Sequence, residues 1–342
     1  MRLRHLGLFA ASALTLTATA AATAQAQVGA EPAPKVVAHI PGPDGGWDYA
    51  DVGADPHKLY VARADGVMAV DLASGAVTPK LVPGQRVHST LPIPGTDLVL
   101  STNGDSNTAV LFHGRDGSVV ATLPTGKKPD GAVFDRSSGL VAVMDGAAGD
   151  ITLIDPKKAE VAGTITVGGK LEAAAVDGQG NLFVNAEDTS ELAKVDLKAR
   201  KLVARYKLDG CEGPTGLIYS PKAKVLVSAC ANGVAKLVSP DGQPVALLKV
   251  GEDPDAAMYD AARDRALIPS PVNGGTLTVI ALSGGAPRVI ATATTESGAR
   301  TGAFDAKTGR VYLPAAKAMV KSPTGRNMPA PGAFEIVVLE TR

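Results

Sequence analysis

The stretch that decides the fold runs from Asp135 to Val167. It reads Asp135-Arg-Ser-Ser-Gly-Leu-Val-Ala-Val, then Ile151-Thr-Leu-Ile-Asp155, then Glu160-Val-Ala-Gly-Thr-Ile-Thr-Val167. An Asp opens a tight turn, and three short runs rich in Val, Ile and Thr follow it. Gly, Pro, Asp or Asn separates each run from the next. Alternation and β-branched residues argue strand, and the separators are those hairpin turns require. No stretch shows a convincing amphipathic-helix period.

The opening phrase returns along the chain. Its anchors are Asp55, Pro94, Asp135, Asp177, Ser220, Asp260 and Asp305, at intervals of 39, 41, 42, 43, 40 and 45 residues. A period near 42 is the length of one four-stranded propeller blade. The sequence therefore predicts an all-β, seven-bladed β-propeller with four-stranded antiparallel blades. Lys35 to Ile40 reads as a spare strand ahead of the first anchor, and Phe334 to Glu340 as the last strand of the seventh unit. Pairing the N-terminal strand into the last blade would close the ring and remove two open edges. Residues 315–333, irregular and rich in Pro, Gly and Lys, are expected to form a long surface loop.

The start of the chain reads differently. Met1-Arg-Leu-Arg is basic, residues 6–24 carry no charge, and Ala24-Gln25-Ala26 offers small residues at both positions a signal peptidase reads. Residues 1–26 are expected to be a signal peptide and 27–342 one propeller domain, periplasmic or secreted. Loss of 1–26 removes two of the 34 Lys and Arg and none of the 34 Asp and Glu, leaving a net charge of −2. That balance makes nucleic acid an unlikely partner. Cys211 and Cys230 would then lie in an oxidising compartment, and the Pro221–Lys224 turn brings both to one end of a hairpin. A disulfide is expected.

Three segments carry a family resemblance. They are Gly117-Ser-Val-Val-Ala-Thr-Leu-Pro-Thr-Gly126 with Pro129-Asp-Gly-Ala-Val-Phe-Asp135, and Val161-Ala-Gly-Thr-Ile-Thr-Val-Gly-Gly169. Leu59-Tyr-Val-Ala and Leu182-Phe-Val-Asn are altered copies of the strand motif. The chain resembles the YVTN-type, YncE-like β-propellers of exported bacterial proteins over essentially its whole length after residue 26. The resemblance implies the architecture and no single activity. Some YncE-like members are described as binding single-stranded DNA. That property is not carried over, because the chain lacks a basic excess and has one Trp for base stacking.

In a propeller, the loops that lead into each blade meet at one mouth of the central channel, with the loops between second and third strands. Aligned by repeat, the lead-in positions are Asp48, His88, Asp130, Glu172, Thr215, Asp255 and Arg300. The second-to-third-strand loops add Asn103, Asp145, Asn185, Asn232 and Asn273. Trp47 stands beside Asp48, as a ligand platform or as rim packing. His88 could be an acid–base partner of Asp130 or a hydrogen-bonded structural residue. Converging carboxylates repel, and the remedies are a cation, a cationic partner or raised pKa values. A divalent cation, Ca²⁺ or Zn²⁺, on Asp130, Glu172, Asn185 and Asp255 is the metal expectation. Three functions follow: a binding propeller that holds a small polar molecule or protein segment without catalysis, a lactonase-like, metal-assisted hydrolase, and, in third place and by family analogy alone, nucleic-acid binding.

Overall fold

A computed structural model describes residues 32–321, 325 and 327–341. The expected signal peptide, 1–26, lies outside the described residues. Seven four-stranded antiparallel sheets follow one another, six of them in simple chain order from the channel outward and the seventh completed by the N-terminal strand. The innermost strands are Trp47–Val52, Val87–Pro92, Pro129–Asp135, Leu171–Val176, Pro214–Ser220, Met258–Asp260 and Ala303–Asp305. Each is in contact with the innermost strand of the next sheet, and the last with the first, so the sheets form a closed ring. The only helical turn among the described residues is a 3₁₀ turn, Glu187–Thr189. This is the seven-bladed propeller the repeats predict.

The repeat anchors work as turn-makers. Asp135 accepts the backbone N–H groups of Ser137 and Ser138, and Asp177 accepts those of Gln179 and Asn181. Asp260 and Asp305 do the same for the residues that follow them. A carboxylate that stands in for a strand partner fixes the hairpin between the first and second strands, which is why the repeat keeps an Asp there.

Closure falls in blade seven. Its sheet order is Ala303–Asp305, Arg310–Ala316, Phe334–Glu340 and then Lys35–Pro41 on the outside. The N-terminal strand pairs with the C-terminal one in the register Lys35↔Glu340 to Pro41↔Glu335. The segment expected to be a long loop is more ordered than the sequence suggests. Ala315 and Ala316 still belong to the second strand, and Met319–Lys321 pairs with Asn327–Pro329 as a small hairpin. Residues 322–324 and 326 lie outside the described residues. Short strands without a repeat partner give no periodic signal, so the hairpin was not readable.

Apolar side chains of adjacent blades interleave to make the core. Met68 and Val61 of blade one lie with Ile336 and Phe334 of blade seven, and Leu182 and Val184 of blade four with Met144 and Leu153 of blade three. Cys211 and Cys230 form a disulfide, with Cα atoms 5.4 Å apart, buried between the lead-in and second strand of blade five. It closes a loop 19 residues apart in sequence. On the chain-entropy account such a loop contributes about 3 kcal/mol. A Cys211→Ser, Cys230→Ser double variant should therefore unfold several degrees lower in a calorimetric melt. An unchanged melting temperature would show the bridge to be dispensable.

Candidate functional site

Each lead-in residue is placed by the same local device. In blades one to five the first strand pairs with the second at its first residue and next at its fourth, leaving two residues out of the ladder. The mouth residue is the first of that unpaired pair: Asp48, His88, Asp130, Glu172 and Thr215. An extra residue in one strand bends it and re-aims the side chain. Here it releases the mouth position from the ladder.

Backbone grips from the neighbouring blade then fix these positions. Thr102 of blade two donates to the Asp130 carbonyl at 2.7 Å, and Thr301 of blade seven to the Asp48 carbonyl at 2.7 Å. Thr215 of blade five donates to the Pro254 carbonyl at 2.7 Å. Asn185 of blade four donates to the carbonyls of Thr215 and Gly216, both at 3.1 Å, and accepts from Ser228.

Six of the expected mouth residues form paired clusters. His88 Nδ1 lies 2.7 Å from Asp48 Oδ2 and 3.9 Å from Asp130 Oδ2. Arg300 places Nε 2.9 Å from Asp255 Oδ2 and Nη2 3.7 Å from Asp48 Oδ1. The first of these is an ion pair without hydrogen-bond alignment, since Nε has no aligned acceptor among the described residues. Glu172 Oε1 lies 2.9 Å from Lys170 Nζ, and Lys170 also pairs with Glu187. Lys170 was missed in the sequence, although a signal exists. Arg86, Lys128 and Lys170 each stand two residues before a mouth residue and 42 residues apart.

The carboxyl crowd is relieved by internal cations and by protons. Burial, and then the Asp48 charge, pushes Asp130 up to about 6. Burial and Asp130 push Glu172 higher still, and a hydrogen bond with Glu187 favours its protonated form. Burial raises Asp255 against the pull of Arg300. For His88, burial opposes the charge, but the Asp48 hydrogen bond and the Asp130 charge win and its pKa rises.

Other expected residues do not come to the mouth. Asn103, Asp145 and Asn185 end the second strands and are buried. Asn103 accepts from the Gln85 N–H, and Asp145 accepts from Thr152 at 2.6 Å. Asn185 is spent on its blade-four-to-five grip. Asn232 binds the backbone of Gly210 and Glu212. The expected metal set of Asp130, Glu172, Asn185 and Asp255 is therefore not brought together. Asn185 faces the next blade, Asp255 faces Arg300 and Glu172 faces Lys170. Among the described residues, the ligating groups that lie within 4.8 Å of one another are His39, Glu296 and Glu335, away from the mouth. There the Lys317 ammonium stands 3.1 Å from Glu335 and supplies the positive charge. Trp47 packs against Phe334, ring centroids 5.2 Å apart.

Two spaces open here. One, about 520 Å³, is bounded by Arg86, His88, Lys128, Asp130 and Lys170 around the small turn Gly146–Gly149. The other is the channel itself, about 300 Å³, lined mostly by Ala and Gly, with Tyr49, Tyr259 and Asp51 as its ionisable groups. Gly302 shows why small residues line it: a Cβ there would come 2.9 Å from the Tyr312 carbonyl oxygen. Asp51 was also missed. It stands where the other six repeats carry Leu91, Val133, Ala175, Ile218, Met258 and Ala303. Its carboxylate accepts only the Val52 N–H, and burial pushes it up to about 7.

No family model matches the chain, and no curated protein matches its sequence. Solved structures match its shape. The WD40 repeats of RRP9 superpose with a TM-score of 0.75, at 13% identity, over 90% of this chain and 99% of that one. A chain of the mitotic checkpoint complex gives 0.73, at 11% identity, over 97% and 99%. A chain of Kuenenia stuttgartiensis hydrazine synthase gives 0.70, at 13% identity, over 89% and 98%. At such identities the likeness is one of fold: the protein is a seven-bladed, WD40-like β-propeller.

The Asp51 carboxyl has a pH signature. Burial holds its pKa at about 7 in the folded chain, above the usual aspartate value of 3.8. Ionisation in the channel then costs stability, increasingly as pH rises from about 4 to 7. Asp51→Asn keeps the acceptor for Val52 and removes that cost. Its melting temperature should exceed the parent's at pH 8 by more than at pH 4. A gain that is equal at both pH values would rule out the buried-carboxylate explanation.

Proposed function

We propose that this chain is an exported member of the YVTN-type, YncE-like propellers, and that it binds a small polar molecule or a protein segment at the channel mouth without catalysis of its own. The observation that carries this reading is the mouth cluster itself. Asp48, His88, Asp130, Glu172, Asp255 and Arg300 come from six different blades, and three of the carboxyl groups are raised by burial. Perturbed groups that converge beside an open cavity are the usual mark of a ligand site. His88 and Arg300 are each held by carboxylates, an arrangement suited to fixed recognition. The metal-assisted hydrolase is less well supported, because Asn185, one of its four expected donors, is engaged between blades. Export is supported by the composition of residues 1–26. The shared fold of a mitotic checkpoint complex chain supports a protein segment as one class of occupant.

A thermal-shift screen of polar metabolites and short peptides at pH 7 tests the proposal, with Ca²⁺, Mn²⁺ and Zn²⁺ as separate arms. A true ligand at 100 times its Kd should add about 2.7 kcal/mol of stability. Asp130→Asn and His88→Gln should each weaken that ligand at least about tenfold, roughly 1.4 kcal/mol. Stabilisation by a metal alone that disappears in Asp130→Asn would replace this reading with the hydrolase. A screen without hits would defeat it outright.

A further inference from the structure

Beside the mouth cluster, over blades one, six and seven, lies a separate cavity of about 490 Å³. Its apolar walls are Trp47, Pro271, Val272, Met319 and Pro329. Met319 and Pro329 are the paired ends of the extra hairpin in blade seven. The propeller repeat does not call for that hairpin, and the cavity is where it meets the ring. Gly298 lets the wall close: its φ is +78°, and a Cβ there would stand 2.9 Å from Trp47 Cζ2. The indole N–H of Trp47 is buried and has no acceptor among the described residues. Such a group ordinarily finds a partner.

The charged groups at this cavity are Arg300 and Asp253. Arg300 is committed. It lies between Asp255 and Asp48 and donates to the Trp47 carbonyl at 3.1 Å. Asp253 holds its backbone N–H on Ala231, while its carboxylate has no hydrogen-bond partner among the described residues. Around it, the carboxyl groups of Asp48, Asp253 and Asp255 outnumber the single guanidinium. A carboxylate guest would meet like charge and an arginine already paired. A cationic guest would meet the free acceptor, and an aromatic wall attracts cations as well.

We infer that this cavity takes the apolar body of an organic amine between Trp47 and the hairpin residues Met319 and Pro329, with the ammonium against the Asp253 carboxylate. The inference rests on the binding role proposed above and names the charge and shape of the guest. Asp253 is exposed at the cavity's rim; partial burial still raises its carboxyl above the usual range, with Arg300 opposing the shift and Glu187 adding to it. An ammonium would supply the charge that site lacks. The volume lies within the usual range for small-molecule sites, about 300–1,000 Å³.

Trp47 is the only tryptophan in the chain, so its fluorescence reports on this cavity alone. Benzylamine, benzyl alcohol and benzoate share one apolar body and differ in the head group. Titrated at pH 7 and low salt, benzylamine should give a saturable change, with affinity at least about tenfold above the other two, roughly 1.4 kcal/mol. The preference should shrink as salt is added. Asp253→Asn should bring benzylamine down to the level of benzyl alcohol. Asp253 has φ of +58°, a conformation Asn accepts readily, so the variant is expected to fold, and its melt checks this. Met319→Ala should weaken all three compounds alike. Benzoate binding as tightly as benzylamine, an amine preference that survives Asp253→Asn, or no saturable change from any of the three would overturn the inference. Hits in the mouth screen combined with silence from the benzyl series would overturn this inference alone.

Discussion

Everything in this molecule depends on one pairing: the strand Lys35–Pro41 hydrogen-bonded to the strand Phe334–Glu340. These segments lie at opposite ends of the described chain. Their union turns a row of seven similar sheets into a ring and supplies blade seven with its fourth, outermost strand. Once the ring is shut, residues one repeat apart become neighbours around an axis. Asp48 meets His88, and Arg300, the last mouth residue in sequence, meets Asp48, the first. No local propensity could bring those three together. Closure does so at the cost of fixing the chain ends, and the entropy of that step is offset by the apolar faces each blade buries on the next.

Closure also creates the electrostatic problem of the mouth. Side chains that would be far apart on an open stack are forced together, and most are carboxyls. The molecule resolves this by protonating some and pairing others. Lys170 serves Glu172 and Glu187, Arg300 serves Asp255 and Asp48, and His88 stands between Asp48 and Asp130. A mouth balanced in this way holds little free charge, so selectivity rests on the positions of donors and acceptors. Asp253, left out of these pairings, lies to the side and is exposed, bordering the cavity it shares with the blade-seven hairpin.

The fold was legible because repetition amplifies a weak signal. A single Asp-turn-strand phrase is ambiguous, whereas seven at a spacing near 42 specify blade length, blade number and the strand left over for closure. The lead-in positions were legible for the same reason. The loops between second and third strands were not. Asn103, Asp145 and Asn185 look like free polar ligands in sequence, yet each ends a strand, where an unpaired backbone or a neighbouring blade claims its hydrogen bonds. Periodicity gives a residue's height along the channel and not the direction of its side chain. Lys170 and Asp51 were readable by comparing equivalent positions: one continues a basic column, and the other breaks an apolar one. The Met319–Pro329 hairpin has no equivalent in the other repeats, so nothing in the pattern announced it.

Four of the backbone grips at the mouth point the same way around the ring, while the Tyr49 hydroxyl of blade one reaches the other way, to the Asp255 carbonyl of blade six. Thr102 reaches from blade two to three, Asn185 from four to five, Thr215 from five to six and Thr301 from seven to one. Through those four grips geometry is handed mainly in one direction. A substitution in one of them displaces the following blade's ligand atoms more than the preceding blade's. Drift in such a wheel is directional. Sectors that lie downstream of a loosened grip can acquire new preferences while the sectors upstream keep the old ones.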